Sequence, residues 1–102
     1  MPRSLRIYAP DEIRQRLESH PEWSLGEDGQ LHAAFTFKNF TQVMMVVNGV
    51  ALLAQALDHH PDMRIHGWKK LDISLMTHDP GGITDLDFEL IAKIDALPGL
   101  TG

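Results

Sequence analysis

The fold of this chain is decided by residues 40–57, which read FTQVMMVVNGVALLAQAL. Apolar side chains recur there at helical spacing, and Asn39 is a suitable N-cap, so the stretch predicts a long helix. The predicted stripe consists of Phe40, Val43, Met44, Val47, Ala51 and Ala54. Further apolar residues lie off this stripe: Met45, Val46, Val50 and Leu53. The helix is therefore apolar nearly all round, more than packing on one sheet requires, and we expect the excess to be buried against another subunit.

Three shorter elements precede this helix. Residues 10–17 predict a helix with Pro10 at its first position, and His20-Pro21 ends it. Residues 23–25 and 31–37 alternate apolar with polar around Asp28-Gly29, a dipeptide that favours a type I′ hairpin turn. On the second strand one face is apolar, formed by Leu31, Ala33, Phe35 and Phe37. These features predict a half-buried antiparallel hairpin.

Three elements also follow the long helix. Residues 63–66 and 71–77 predict a second strand pair, joined by a tight connection near residues 67–70. Thr84 and Asp87 form a capping box for a last helix, whose apolar stripe runs to Pro98-Gly99. The order α-β-β-α-β-β-α predicts an α+β fold, with a four-stranded antiparallel sheet and helices packed on one face.

Composition narrows the classes of function. A chain of 102 residues with 43% hydrophobic and 23% charged residues is expected to form one domain over residues 1–102. It has no cysteine, which excludes disulfides and thiolate zinc sites and fits a cytoplasmic location. A net charge of -5 argues against nucleic-acid binding, and no apolar run reaches the roughly 20 residues of a membrane span. We therefore expect neither nucleic acid nor membrane as a partner.

Three of the six histidines fall in two short segments, His59-His60-Pro61 and Thr77-His78-Asp79-Pro80. Histidine exchanges protons near neutral pH, so the cluster predicts acid–base chemistry or a metal. Each residue also has an ordinary explanation, because imidazolium suits a helix C-terminus and Asp87 suits a helix cap. A metal is disfavoured, because adjacent histidines at a helix end diverge by about 100 degrees. The other three histidines, at positions 20, 32 and 66, lack comparable neighbours in the sequence.

The ordered set His59-His60-Pro61, Trp68, His78 and Asp87 resembles the pterin-4a-carbinolamine dehydratase family. Residues 35–40, FTFKNF, add to the resemblance, which extends from about Leu5 to Leu97. The same α-β-β-α-β-β-α order is what that family implies. A lone His-His-Pro would be a weak signal, but the ordered combination is specific.

The resemblance implies dehydration of a 4a-hydroxytetrahydropterin to the quinonoid dihydropterin, with no metal and no cofactor. By position it makes His59, His60 and His78 the catalytic residues, with His59 and His78 as proton donors to the hydroxyl and His60 as substrate ligand and base. It places substrate contacts at both histidine-containing segments: His59, His60, Pro61, Thr77, His78, Asp79 and Pro80. Asp87 and Trp68 would support the site.

The resemblance also implies a homodimer or homotetramer assembled through the 40–57 helix, and a functional link to an aromatic amino acid hydroxylase. The alternative function is a non-catalytic dimerisation or assembly module of the same fold. The chain departs from the family's pattern in two places. Residues 63–68 are about one residue longer than usual before the next strand, and Gln55 stands where a charged residue is common.

Overall fold

The structure is a computed structural model and describes residues 5–98. Its helices and strands, in chain order, are α1 (Pro10–Arg16), which continues into a 3₁₀ turn (Leu17–Ser19), β1 (Trp23–Leu25), β2 (Leu31–Thr36), α2 (Phe40–Leu57), β3 (Asp62–His66), β4 (Lys70–Leu75) and α3 (Asp85–Asp95). The predicted order of elements and the α+β class are confirmed. The last helix ends at Asp95, earlier than the predicted stop at Pro98-Gly99, of which Gly99 lies outside the described residues.

The four strands form one antiparallel sheet in the order β1-β2-β4-β3. The two central strands pair with Phe35 opposite Leu71 and Ala33 opposite Ile73, which brings their apolar residues onto the same face. These side chains join buried residues of all three helices in a single core, whereas His32, Ala34 and Asp72 on the alternate positions remain partly or fully exposed. A single core against one sheet face is compatible with the predicted helix layer.

The turn between β1 and β2 differs from the predicted type I′ turn. Gly29 has a positive φ of 81°, but Asp28 does not, and a type I′ turn needs positive φ at both central residues. The amide of Gly29 donates to the carbonyl of Gly26, and the amide of Gly26 donates to the carbonyl of Gln30. This pattern fits a type I turn followed by a left-handed glycine, the usual three-residue hairpin loop. Asp28 instead uses its carboxylate to bind His32.

The buried face of α2 is rotated from the predicted stripe. The residues that α2 buries are Val43, Val46, Val50 and Ala54. Phe40 and Ala51, which were predicted to face the core, are exposed, and so are Met45 and Leu52. The prediction was wrong here because apolar residues also lie on both sides of the buried face, and the predicted stripe included some of them. The polar residues Thr41, Asn48 and Gln55, at seven-residue spacing, lie on the exposed side opposite the buried face.

By length and composition α2 also meets the minimum for a membrane span. Central helices of soluble domains meet the same minimum, and four side chains of α2 lie in the core shared with the sheet. Its length and apolar character therefore do not by themselves indicate a membrane.

Candidate active site

His59 is directed into the protein by the way α2 ends. Asp58 adopts a left-handed conformation, with φ of 52°, immediately after the last helical residue. The amide of His59 donates to the carbonyl of Ala54 at 3.0 Å, and the amide of Asp58 donates to that of Gln55 at 3.1 Å. Together these bonds form a Schellman motif, which satisfies the last carbonyls of the helix and reverses the chain. Pro61 then prevents the helix from resuming, and the His59 side chain is buried.

The partner of His59 is the carboxylate of Asp87, in the first turn of α3. His59 Nε2 lies 2.7 Å from Asp87 Oδ1. The other carboxylate oxygen accepts from the Thr84 amide and from the Thr77 hydroxyl, both at 2.8 Å. Asp87 is fully buried, so each of these donors offsets part of the cost of removing its charge from water. Because the carboxylate accepts this hydrogen bond, Nε2 of His59 carries a proton.

The capping box predicted at Thr84 and Asp87 is therefore confirmed, and it has a second use. Its side-chain bonds cap α3, while the same carboxylate binds an imidazole 28 residues away along the chain. The Thr84 hydroxyl also lies 2.8 Å from the Thr77 hydroxyl, an arrangement that the capping pattern did not predict. Thr77, Thr84, Asp87 and His59 thus form a buried hydrogen-bonded network, named here the Asp87 network.

His60 has a different environment from its neighbour. Its side chain is exposed, and its Nε2 lies 3.0 Å from Oε1 of Gln55, in the last turn of α2. The amide oxygen orients the ring without placing a charge beside it. One of the two adjacent imidazoles is therefore held by a buried carboxylate and the other by an exposed neutral amide. Gln55 was recognised as a departure from the family's pattern beside the histidine pair, but its hydrogen bond to His60 was not predicted.

His78 lies in a short exposed loop that begins at the Asp87 network. Thr77 and Gly82 close the loop with two backbone hydrogen bonds, of 2.8 and 2.9 Å. The four residues between them, His78, Asp79, Pro80 and Gly81, are all exposed, and the Asp79–Pro80 peptide bond is cis. Because Thr77 also donates to Asp87, the base of the His78 loop is tied to the residue that holds His59.

The remaining predicted site residues divide into two groups. Pro61, half-buried, leads directly from the histidine pair into β3. Trp68 lies in the turn between β3 and β4, at the end of that hairpin opposite Pro61 and Thr77, and it is 59% exposed. Within one chain the structure therefore does not bring Trp68 to the histidines, and its supporting role stays a prediction.

The other three histidines each lie beside an aspartate. The nearest nitrogen–oxygen distances are 2.6 Å for His20 and Asp95, 2.9 Å for His32 and Asp28, and 3.0 Å for His66 and Asp72. The hydrogen bond from His32 is the main reason that the pKa of Asp28 lies below its ordinary value. The pairs of His32 and His66 each lie within one hairpin, whereas His20 and Asp95 are 75 residues apart in the sequence. None of these three pairs joins the Asp87 network.

Two other kinds of site were considered: a cluster of metal ligands and a groove on the sheet. Within residues 5–98, no three histidine, cysteine, aspartate or glutamate side chains converge so as to hold a metal ion. A groove of about 600 Å³ crosses the sheet, lined by residues that include Ser24, His32, Arg64 and Ser74. It contains none of the three candidate histidines.

Fold and site together define a small α+β protein in which a buried carboxylate–imidazole pair adjoins an exposed histidine and is joined through Thr77 to a histidine-containing loop. The chain belongs to the pterin 4 alpha carbinolamine dehydratase family, whose model matches residues 7–97. It is 41% identical over 88 residues to a relative from Chloroflexus aggregans, with 86% of this chain and 93% of the relative covered. It is 42% identical over 86 residues to one from a Picosynechococcus species, covering 84% and 91%. Both relatives carry the provisional name pterin-4-alpha-carbinolamine dehydratase.

Two solved structures have a similar fold. A protein from Brucella melitensis, described as a transcriptional coactivator/pterin dehydratase, superposes with a TM-score of 0.83 at 27% identity, covering 89% of this chain and 97% of that one. A pterin dehydratase-like protein, described as a RuBisCO assembly factor in the alpha-carboxysome, superposes with a TM-score of 0.62 at 24% identity, covering 76% and 90%. The second likeness concerns the fold alone.

Proposed function

We propose that this protein dehydrates a 4a-hydroxytetrahydropterin to the quinonoid dihydropterin by histidine acid–base catalysis. The observation that carries the proposal is the Asp87 network, which joins His59 to the base of the His78 loop within a chain of this family. In the reaction the bond between C4a and the hydroxyl oxygen breaks, N5 loses its proton, and a C4a=N5 double bond forms. One proton must reach the departing hydroxyl and another must leave N5, so positioned imidazoles are sufficient.

His59 is the proposed proton donor with the most support. Its contact with Asp87 holds the ring in one tautomer and orientation, and a buried carboxylate stabilises positive charge on an imidazole during proton transfer. Such an arrangement favours a group that holds a proton and delivers it to a leaving hydroxyl. Asp87 itself would act as a positioning residue, since it is fully buried and both of its carboxylate oxygens are bound by protein donors.

His78 and His60 are proposed to complete the proton transfers. His78 is exposed in its loop and would donate to the hydroxyl together with His59. His60 is exposed and oriented by a neutral amide, which suits a substrate ligand that accepts the N5 proton. The proline residues and the exposed backbone of residues 78–81 would provide the pocket wall and hydrogen bonds to the flat pterin ring.

A direct rate measurement tests this function. Decay of 4a-hydroxytetrahydropterin would be followed by stopped-flow absorbance with wild-type protein and with His59→Ala and His78→Ala. We expect acceleration above the spontaneous reaction by the wild type, and a loss of about 100-fold in each variant. His66→Ala is the matched control, because His66 also lies beside an aspartate but at the end of the β3–β4 hairpin opposite Pro61 and Thr77. A wild-type protein that fails to accelerate the decay would exclude the proposal.

Assembly through α2 is the second candidate function, either beside catalysis as a homodimer or homotetramer or in place of it. The observation that favours it is the exposed apolar surface of α2, where Met45 is 70% and Leu52 is 73% exposed. Sedimentation of Leu52→Asp tests it, because Leu52 is exposed and its replacement leaves the core intact. A charged substitution at Val46 would not serve, since Val46 is buried and its replacement would disturb the core. If the wild type is an oligomer and Leu52→Asp has the same mass in solution, this interface is excluded. A wild type that is itself monomeric would also exclude it. The proposed link to an aromatic amino acid hydroxylase rests on the substrate alone.

A further inference from the structure

The segment before α1 lies against the connection between the His78 loop and α3. The Tyr8 amide donates to the carbonyl of Ile83 at 2.8 Å. Ile83 is buried and is flanked by Gly82, which closes the His78 loop, and by Thr84, which caps α3. A residue near the start of the chain thus contacts the backbone that separates two parts of the proposed site.

The Tyr8 side chain fixes this contact from the α3 side. It is buried against Phe88, with ring centroids 5.3 Å apart, and its hydroxyl donates to Asp85 and accepts from Arg16. Asp85 and Phe88 belong to the same turn of α3 as Asp87. The hydrogen bond to Asp85, and then burial, raise the pKa of Tyr8, so the hydroxyl remains a donor throughout the neutral range.

Ile7 holds the same connection from the loop side. A Cβ added at Gly82 would lie 2.8 Å from Cγ2 of Ile7, so the Ile7 side chain fits against glycine and leaves no room for a larger residue. Ile7 is 47% exposed, which means that its packing on Gly82 contributes little to the core. This contact is made at Gly82, the residue that closes the loop through its bridge to Thr77.

We propose that Ile7 and Tyr8 form a clamp that positions the His78 loop relative to the Asp87 network. The clamp holds Gly82 and Ile83, and through them the Thr77–Gly82 bridge from which His78 projects. Both are positioning residues, which act through the loop and need not touch substrate. The inference deepens the proposed function and rests on it only where catalysis is the readout.

Hydrogen exchange tests the clamp without reference to activity. The amides of Thr77 and Gly82 form the bridge, so their exchange reports opening of the loop directly. In Ile7→Ala we expect both amides to exchange on the order of tenfold faster, while core strand amides such as that of Ile73 keep their rate. Ile7→Val retains both γ carbons and should restore slow exchange. Arg14→Ala is the matched surface control, since Arg14 is exposed and pairs with Asp11 within α1.

A double-mutant cycle tests the link to catalysis. Tyr8→Phe removes only the hydroxyl and keeps the ring against Phe88, so the variant should fold. We expect it to lower kcat on the order of tenfold by displacing the loop. In a His78→Ala background the same change should have almost no further effect, because the group that the clamp positions is gone.

The outcomes separate the clamp from the proposed function. Unchanged exchange at Thr77 and Gly82 in Ile7→Ala overturns the clamp, whatever the activity. Equal kcat losses from Tyr8→Phe with and without His78 also overturn it, since a general structural effect would be additive. If the wild type has no dehydratase activity, the proposed function fails, and the exchange measurement still decides whether Ile7 and Tyr8 hold the loop.

Discussion

Replacing Asp87 with asparagine separates the chemical role of the carboxylate from its structural role. Asparagine has nearly the same shape, so its oxygen can still accept from Thr77 and the Thr84 amide. Its NH₂ group would then face Nε2 of His59, 2.7 Å away in the wild type. Since an amide nitrogen only donates, the imidazole must accept at Nε2 and carry its proton on Nδ1 instead. The substitution therefore reverses the tautomer of His59.

The cost to stability is small compared with the cost to catalysis. Three hydrogen bonds lose the assistance of charge, but a buried charge is also removed, so we expect a loss of about 1–3 kcal/mol. For a domain of this size each kcal/mol lowers Tm by about 4–8 °C. Asp87→Ala would instead leave three buried donors unpaired and cost about 3–5 kcal/mol. Misplacing the proton on His59 should lower kcat by about 100-fold, the usual contribution of one acid–base group.

Two measurements on Asp87→Asn test this reasoning. Nitrogen NMR of the imidazoles should show the proton of His59 moved from Nε2 to Nδ1, while stopped-flow absorbance gives kcat for the dehydration. Thermal unfolding, with Asp87→Ala as the comparison, verifies that the asparagine variant is folded. A folded variant with the reversed tautomer and wild-type kcat would refute the role assigned to the His59–Asp87 pair.

Three further predictions concern Gln55, Tyr8 and Leu90. Gln55→Glu places a carboxylate about 3.0 Å from His60, and its negative charge favours the protonated imidazole. The acidic limb of the pH profile of kcat/KM should therefore move to higher pH by about one unit. Gln55→Ala, which adds no charge, should leave that limb unmoved. Tyr8 is the single tyrosine of the chain, so its titration can be followed by ultraviolet absorbance in the folded and urea-unfolded protein. Because folding raises the pKa of Tyr8, the stability that Tyr8 contributes is complete below the ordinary tyrosine pKa of 10.0 and is lost as pH rises through the folded pKa. Equal titration of Tyr8 in the folded and unfolded protein would contradict this. Leu90→Ala should lower the free energy of unfolding by about 2–5 kcal/mol in urea, since Leu90 is fully buried, and a loss below 1 kcal/mol would contradict its place in the core.

Much of the fold could be predicted because local chemistry decides it. Alternation over residues 31–37 and 71–75 places the same side chains inward that the sheet buries. The caps at Asn39 and Thr84 each bond within their own helix turn, so sequence spacing is sufficient to find them. The turn type at residues 26–30 was predicted wrongly, because an Asp-Gly dipeptide suits both a type I′ turn and a type I turn followed by a left-handed glycine. The carboxylate of Asp28 binds the side chain of His32, a contact that spacing did not reveal.

The candidate site was predictable as a set of residues and not as an arrangement. The order of His59, His60, His78 and Asp87 could be recognised, but the separate partners of the two adjacent histidines could not. One bonds a carboxylate 28 residues away and the other an amide five residues away. Tyr8 and Asp85 meet over a separation of 77 residues, without any signal in the spacing.

The sequence by itself determined which segments form helices and strands, since hydrophobic period, caps and turn residues act over a few positions. Only the tertiary structure decided which apolar residues of α2 are buried and which, such as Met45 and Leu52, stay exposed, because apolar residues extend beyond the face that packs on the sheet and helical spacing does not rank them. The same packing brought Asp87 to His59 and Thr77, since a buried carboxylate is stable only where several donors converge. These donors converge because α2, β4 and α3 meet in one core, and local sequence patterns do not predict such long-range packing.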